Sequence, residues 1–164
     1  MYPTSSWLSP DVVVRPSAIA GVGLFAVRGL VAGAAVERLG GRVIGDVELA
    51  ALRPPYSSLS VADGVHLLLD PEHPARYGNH SCAPNLWHLD ATTIALRTDV
   101  PVDTELTIDY ATHTGVSAWS MPCACGSAVC RGVVTGEDWR RPELRAAYGA
   151  HWTPPLLARI AASS

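Results

Sequence analysis

Apolar residues in this chain come in short runs, and glycine, proline or an Asp-containing turn closes almost every one. Residues 11–15 are a β-branched run that Pro16 ends. Apolar pieces at 24–27, 34–39 and 42–44 follow, separated by Gly29, Gly33, Gly40 and Gly41. So many glycines oppose a long helix, and the stretch reads as short strands and turns. Residues 47–52 can make one or two helical turns before Pro54-Pro55. Residues 56–61 and 65–69 read as strands around Asp63-Gly64, a strong hairpin signal. Residues 86–89 and 92–98 form another pair, and 105–110 a last core strand. The tail differs: 142–148 reads as a helix with an early proline and Gly149 as its stop, and 154–162 as another. Many short strands with frequent turns predict a mostly β fold.

Composition sharpens this picture. The chain has 164 residues, 48% hydrophobic and 16% charged, which suits one globular domain with a sizeable core. A net charge of −3 without a basic stripe argues against direct nucleic acid binding and weakly favours a cationic partner. No run approaches the ~20 apolar residues of a membrane span. The first ten residues lack the pattern of a signal peptide. A cytoplasmic protein without a membrane partner is therefore expected. Disulfides are disfavoured there, so clustered cysteines read as metal ligands.

Three of the 4 cysteines form Cys123-Ala-Cys125-Gly-Ser-Ala-Val-Cys130. The last, Cys82, lies in Asn79-His80-Ser81-Cys82-Ala83-Pro84-Asn85. Four thiolates suit one tetrahedral structural zinc. The cluster is one ligand short, so Cys82 completes it and pins the tail to a distant segment; free buried cysteines are the plain alternative. Gly21-Val22-Gly23-Leu24-Phe25-Ala26 fits the loose dinucleotide pattern G-x-G-x-x-G/A, but Gly29 and Gly33 leave the required helix unsupported. A plain glycine turn is the default there. His66, His73, His88, His113 and His151 have no zinc-ligand spacing and read as surface or packing residues. Trp139 and Trp152 can cap the core with the C-terminal helices.

Three strings carry a resemblance. Arg76-Tyr77-Gly78-Asn79-His80-Ser81-Cys82-Ala83-Pro84-Asn85 matches R-F/Y-x-N-H-S-C-x-P-N. Glu105-Leu106-Thr107-Ile108-Asp109-Tyr110 matches E-L-x-x-D-Y, and the cysteine cluster with Arg131-Gly132 matches C-x-C-G-S-x-x-C-R-G. On these, residues 13–132 resemble the SET-domain protein lysine methyltransferases with a post-SET zinc loop, in their small bacterial form. The resemblance implies a mostly β, β-clip fold of short strands in which the first string forms a pseudoknot. It implies a SET domain over 1–118, then a post-SET zinc loop and short C-terminal helices over 119–164.

The resemblance also implies methyl transfer from S-adenosylmethionine to a lysine ε-amine of a protein, basic in character. The cofactor would lie against Gly21, Val22, Gly23, Leu24, Arg76, Tyr77, Asn79, His80, Tyr110 and Trp139. Tyr110 and Tyr56 would be catalytic, and Tyr56, Ile108 and Tyr110 would line the substrate channel. One structural zinc would sit on Cys82, Cys123, Cys125 and Cys130. Departures exist: residues 45–76 match weakly, Ile108 stands where many relatives carry Phe or Tyr, and no cysteine-rich cluster precedes residue 76. Competing readings are a catalytically silent SET-like zinc-containing binding module, a non-enzymatic zinc-loop interaction protein, and a methyltransferase for another amine.

Overall fold

Glycine and proline punctuation cuts the chain into strands of two to five residues. The computed structural model describes residues 1–163. In chain order the strands are β1 (Trp7–Leu8), β2 (Val12–Pro16), β3 (Val22–Ala26), β4 (Ala35–Arg38), β5 (Gly41–Gly45), β6 (Ser58–Ala62) and β7 (Val65–Leu69). They continue as β8 (Asn79–His80), β9 (Leu86–His88), β10 (Thr93–Leu96), β11 (Glu105–Ile108), β12 (Ser120–Pro122) and β13 (Val133–Thr135). The helices are α1 (Asp46–Ala51), α2 (Pro142–Tyr148) and α3 (Pro154–Ala162). Strand orders are β1-β4-β10-β9, β2-β3-β11-β8 and β5-β7-β6, with β12-β13 as a separate ribbon. No helix among the described residues is long and apolar enough to cross a membrane.

The predicted hairpin forms around Asp63-Gly64, with Ala62 opposite Val65. Gly64 takes φ +64°, a conformation that glycine enters without the Cβ penalty. Both tail helices also match their sequence signals: Pro142 opens α2, and Gly149 ends it at φ +53°. Three differences stand out. The strands β1, β8, β12 and β13 carry no period-2 signal because two or three residues hold too little alternation to read. The strand expected over 92–98, paired with 86–89, narrows to β10. The strand expected over 105–110 stops at Ile108, because the Asp109 side chain accepts from the Ala111 N–H at 3.0 Å and opens a 3-10 turn over Tyr110–Thr112.

The main core lies where the sheets meet, with Leu24, Leu67, Leu86, Ile94, Leu96 and Leu106 all essentially inaccessible. A second core gathers Trp139, Leu144, Tyr148, Trp152 and Leu156 of the tail around Ala111. The tail is thus packed onto the turn that follows β11.

A buried imidazole pair links these regions: His88 Nε2 and His113 Nδ1 are 3.1 Å apart. Burial pushes His88 down to about 4, and burial followed by the His88 charge pushes His113 well below its ordinary value. The unfolded chain titrates near 6.5, so the contribution of the pair is complete above that pH. It declines as the pH falls through 6.5 toward 4, because the unfolded state then binds protons that the native pair resists. His88→Gln is expected to remove part of this acid sensitivity, worth on the order of 3 kcal/mol across that window. Melting curves of both proteins at about pH 7 and pH 4.5 check this; parallel losses would assign the acid sensitivity elsewhere.

Candidate active site and metal centre

The parallel pairing of β8 with β11 sets Asn79 beside Thr107 and His80 beside Ile108. Two sequence strings 28 positions apart thereby share one ladder. The Asn79 amide reaches Ala20 O at 3.2 Å, Val22 O at 3.0 Å and Glu105 Oε1 at 2.9 Å. It clamps the glycine turn to the start of β11. Ser17 Oγ completes the clamp by donating to the Glu105 carboxylate at 2.8 Å. A Cβ on Gly23 would fall 2.2 Å from Glu105 Oε1, so this glycine is required by close approach. At Gly21, with φ +48°, nothing lies within 4 Å of a Cβ position, and that side of the turn is open to a ligand. The Leu24 side chain points into the core, leaving only its backbone for such a role.

His80 is buried, and its Nδ1 accepts the Tyr110 backbone N–H at 3.1 Å. Nε2 therefore carries the proton and points it at Cys82 Sγ, 3.3 Å away. Burial lowers the His80 pKa, partly offset by the Asp109 charge. One neutral ring thus joins the Cys82 segment to Tyr110. The Tyr110 hydroxyl donates to Gly78 O at 2.7 Å, and its ring lies 5.4 Å from His113 and 6.5 Å from Trp119, centroid to centroid. Burial and then the Glu37 charge push the phenol up to about 12, so it stays protonated at neutral pH.

A cavity of about 820 Å³ opens beside Tyr110. Its rim includes Tyr56, which is 38% exposed, and Asp46 of α1. Its buried floor includes Glu37, Ile94 and Ile108. Arg76 lines the same wall and stacks over Tyr77, 5.1 Å from the ring centroid, while Tyr77 packs against the main core. The structure therefore brings Tyr56, Arg76, Ile108 and Tyr110 to one cavity. Trp139 stands apart, 5% exposed in the second core, and lines a separate cavity of about 430 Å³ with Arg140 and Arg159.

The cysteine sulfurs of residues 82, 123, 125 and 130 all lie within 4.8 Å of one another. Cys82 to Cys123 is 3.8 Å and Cys123 to Cys130 is 3.7 Å. A tetrahedron with zinc–sulfur bonds of ~2.3 Å has edges of ~3.8 Å, so the four thiols fit zinc; disulfide spacing is far shorter. The backbone N–H groups of Arg131 and Cys82 approach Cys82 Sγ at 3.4 Å and Cys125 Sγ at 3.5 Å, which favours thiolate charge. All four positions would be filled by protein, so such a metal would be structural.

A buried ion network ties the cysteine loop to the Tyr110 turn. Arg131 donates to both oxygens of Asp109 at 2.7 Å and pairs with Asp138 at 3.0 Å. The Tyr148 hydroxyl donates to Asp109 at 2.8 Å. Sequence reasoning missed Glu37, Trp119 and this use of Asp109 and Arg131. Asp109 and Arg131 lay inside the matched strings, which was their signal. Glu37 had only one, a lone acid inside an apolar run.

No family profile matches the sequence. Three solved structures share the fold at low identity. The methyltransferase domain of human histone-lysine N-methyltransferase SETMAR is 20% identical over 76% of this chain and 58% of that one, with a TM-score of 0.61. Arabidopsis thaliana SUVH6, in complex with SAM, is 19% identical over 77% and 33%, with a TM-score of 0.62. KRYPTONITE, in complex with mCHG DNA and SAH, is 23% identical over 74% and 28%, with a TM-score of 0.57. The chain has the mostly β SET-domain fold, and its match spans little more than half of the SETMAR domain structure and about a third of the others.

Proposed function

We propose that this protein transfers a methyl group from S-adenosylmethionine to the ε-amine of a lysine in a basic protein. The observation that carries the reading is Tyr110, a half-buried, protonated phenol held between the Asn79-His80 strand and the floor of the large cavity. The glycine turn, Arg76, Asn79 and His80 would hold the cofactor, which would supply a sulfonium methyl that needs no covalent nucleophile from the protein. What remains for the chain is to admit a lysine side chain, orient its nitrogen and exclude water. Ile94 and Ile108 supply apolar walls. With its pKa near 12, Tyr110 orients by hydrogen bonding and does not act as a base near neutral pH. The chain itself has no lysine, so self-modification adds no background to an assay.

The test is incubation of the purified protein with a pool of basic proteins and methyl-labelled cofactor, followed by mass spectrometry of lysines. Label on lysine nitrogen is expected. Cofactor binding with no labelled amine would instead favour a silent binding module, and label on other nitrogens a different amine substrate. Tyr110→Phe is expected to keep cofactor affinity within a few-fold and to lose roughly 100-fold in turnover, because an orienting hydroxyl acts mainly in the transition state. Calorimetric binding beside single-turnover rates separates the two effects; an unchanged rate removes Tyr110 from the mechanism.

Ile108 bears on product. Its side chain has neither ring nor hydroxyl with which to hold a water beside the amine, and it lines the cavity wall. Two or three methyl groups per lysine are expected, and Ile108→Tyr should shift the product toward one. A wild-type reaction that stops at monomethyl-lysine in excess cofactor excludes this.

A further inference from the structure

Glu37 is left unused by this reading, and its setting is unusual. It lies in β4 and is 2% exposed; the preceding Val36 is equally buried, so both faces of the strand are covered. Opposite it stand Leu8 and Ile94, which offer no polar partner. No hydrogen bond or ion pair to its carboxyl is found among the described residues. The carboxyl lines the floor of the large cavity. Its Oε1 is 3.8 Å from the place a Cβ on Gly78 would take, and the carbonyl of the same glycine accepts the Tyr110 hydroxyl at 2.7 Å. Carboxyl and phenol thus flank one glycine in the lining of one cavity. Burial pushes Glu37 up to about 8. An unpaired buried acid destabilises a fold, and glutamine or an aliphatic residue would fill the same space with less cost. A cost without structural return marks a group kept for a ligand.

We propose that Glu37 is the anchor and proton acceptor for the substrate's ammonium group, a role that rests on the methyl-transfer reading above. The arriving lysine is cationic and pairs with the ionised carboxylate. One proton passes from Nζ to a Glu37 oxygen, leaving a neutral amine beside the Tyr110 hydroxyl. The nitrogen lone pair then forms the N–CH3 bond as the S–CH3 bond of the sulfonium breaks, and that electron pair stays on sulfur. The product leaves as a methylammonium, and Glu37 returns its proton to water. The other titratable or charged groups on this cavity are Asp46, Tyr56, Arg76, Tyr110 and His113, and none is bonded to Glu37.

Two measurements on the full chain test this. In the first, saturation-transfer NMR follows n-butylammonium without cofactor, with n-pentanol as an uncharged control. Wild type is expected to bind the cation at about pH 9, where Glu37 is ionised and the amine still protonated, and to lose it at about pH 6. Glu37→Gln should lose it at both and keep n-pentanol. Equal cation signals at the two pH values in wild type overturn the proposal even if the variant fails to fold. In the second, the pH dependence of kcat/KM for lysine methylation should rise through about 8 in wild type. In Glu37→Gln the rise should move toward the ~10.4 of free lysine, giving a loss of roughly 100-fold at about pH 8 that shrinks as the pH is raised. A structural role alone would leave the profile unmoved, and an unchanged profile overturns the proposal while leaving the methyl-transfer reading intact. No methylation by wild type, with cation binding that still depends on Glu37, sinks that reading and retains the cation site.

Discussion

Cys82→Ser is expected to release the metal and loosen the C-terminal tail together. Cys82 is the thiol of the cluster that lies outside the cysteine loop, so a metal held there would close the long chain segment between residues 82 and 123. Its sulfur also receives the Arg131 N–H and the His80 Nε2–H. A hydroxyl is a poor replacement for a thiolate on zinc, and the shorter C–O bond withdraws it from the other three sulfurs. Structural zinc sites contribute on the order of 10 kcal/mol to folding of the segments they close, more than most domains have in reserve. The tail is therefore expected to become sensitive to protease from about residue 119, and the His80–Tyr110 contact to loosen with it. Metal analysis of wild type purified without added zinc should show about one equivalent, because four thiolates complete one shell. A Cys82→Ser protein with full zinc and an intact tail would falsify the shared site.

Asp109→Ala should be the most damaging change outside the cysteines. Asp109 is fully buried and accepts from Arg131 twice, from Tyr148 and from the Ala111 N–H. Removing it leaves the Arg131 guanidinium, 6% exposed, with Asp138 as its remaining partner. Breaking a buried pair from one side costs roughly 3–5 kcal/mol, because the other charge stays desolvated. For a domain of this size that is a melting shift on the order of 10 °C. The effect should reach beyond stability, since Asp109 also caps the turn that presents Tyr110. Arg131→Met with Asp109→Leu removes both charges of that pair but leaves buried Asp138 with only Arg141 and Thr135, so it should recover part of the melting temperature and none of the activity. If the single variant melts within about 1 °C of wild type, the network contributes little to the fold.

Much of this molecule was written in local pattern. The Asp63-Gly64 hairpin needs only a turn residue that accepts positive φ between two apolar runs, and both are visible in a few letters. Pro142 and Gly149 mark the limits of α2 for equally local reasons, a missing N–H at one end and a missing Cβ at the other. The four cysteines announce a thiolate site because three fall within eight residues on one loop and a fourth lies in a motif string. Motif strings go further by resemblance, and the structure sets Tyr56, Ile108 and Tyr110 on one cavity. It leaves Trp139 in the second core instead, where the packing of α2 and α3 holds it.

Tertiary structure alone decided the rest. Nothing in the letters around Asn79 states that its amide will hold a turn 57 residues upstream, because that depends on which strand β8 lies beside. Charge gives even less warning. Glu37 and Arg38 are adjacent and look alike in a hydrophobicity pattern, yet one is buried on the floor of the cavity and the other is exposed. Alternation predicts which faces differ, but not that Val36 and Glu37 will both be covered when a second sheet and the Gly78 segment close over the strand. Burial is a property of the assembled layers, and the reactivity of a carboxyl, a phenol or an imidazole follows from burial. The sequence determined which groups this protein has; only their enclosure determined which of them face the cavity without a partner.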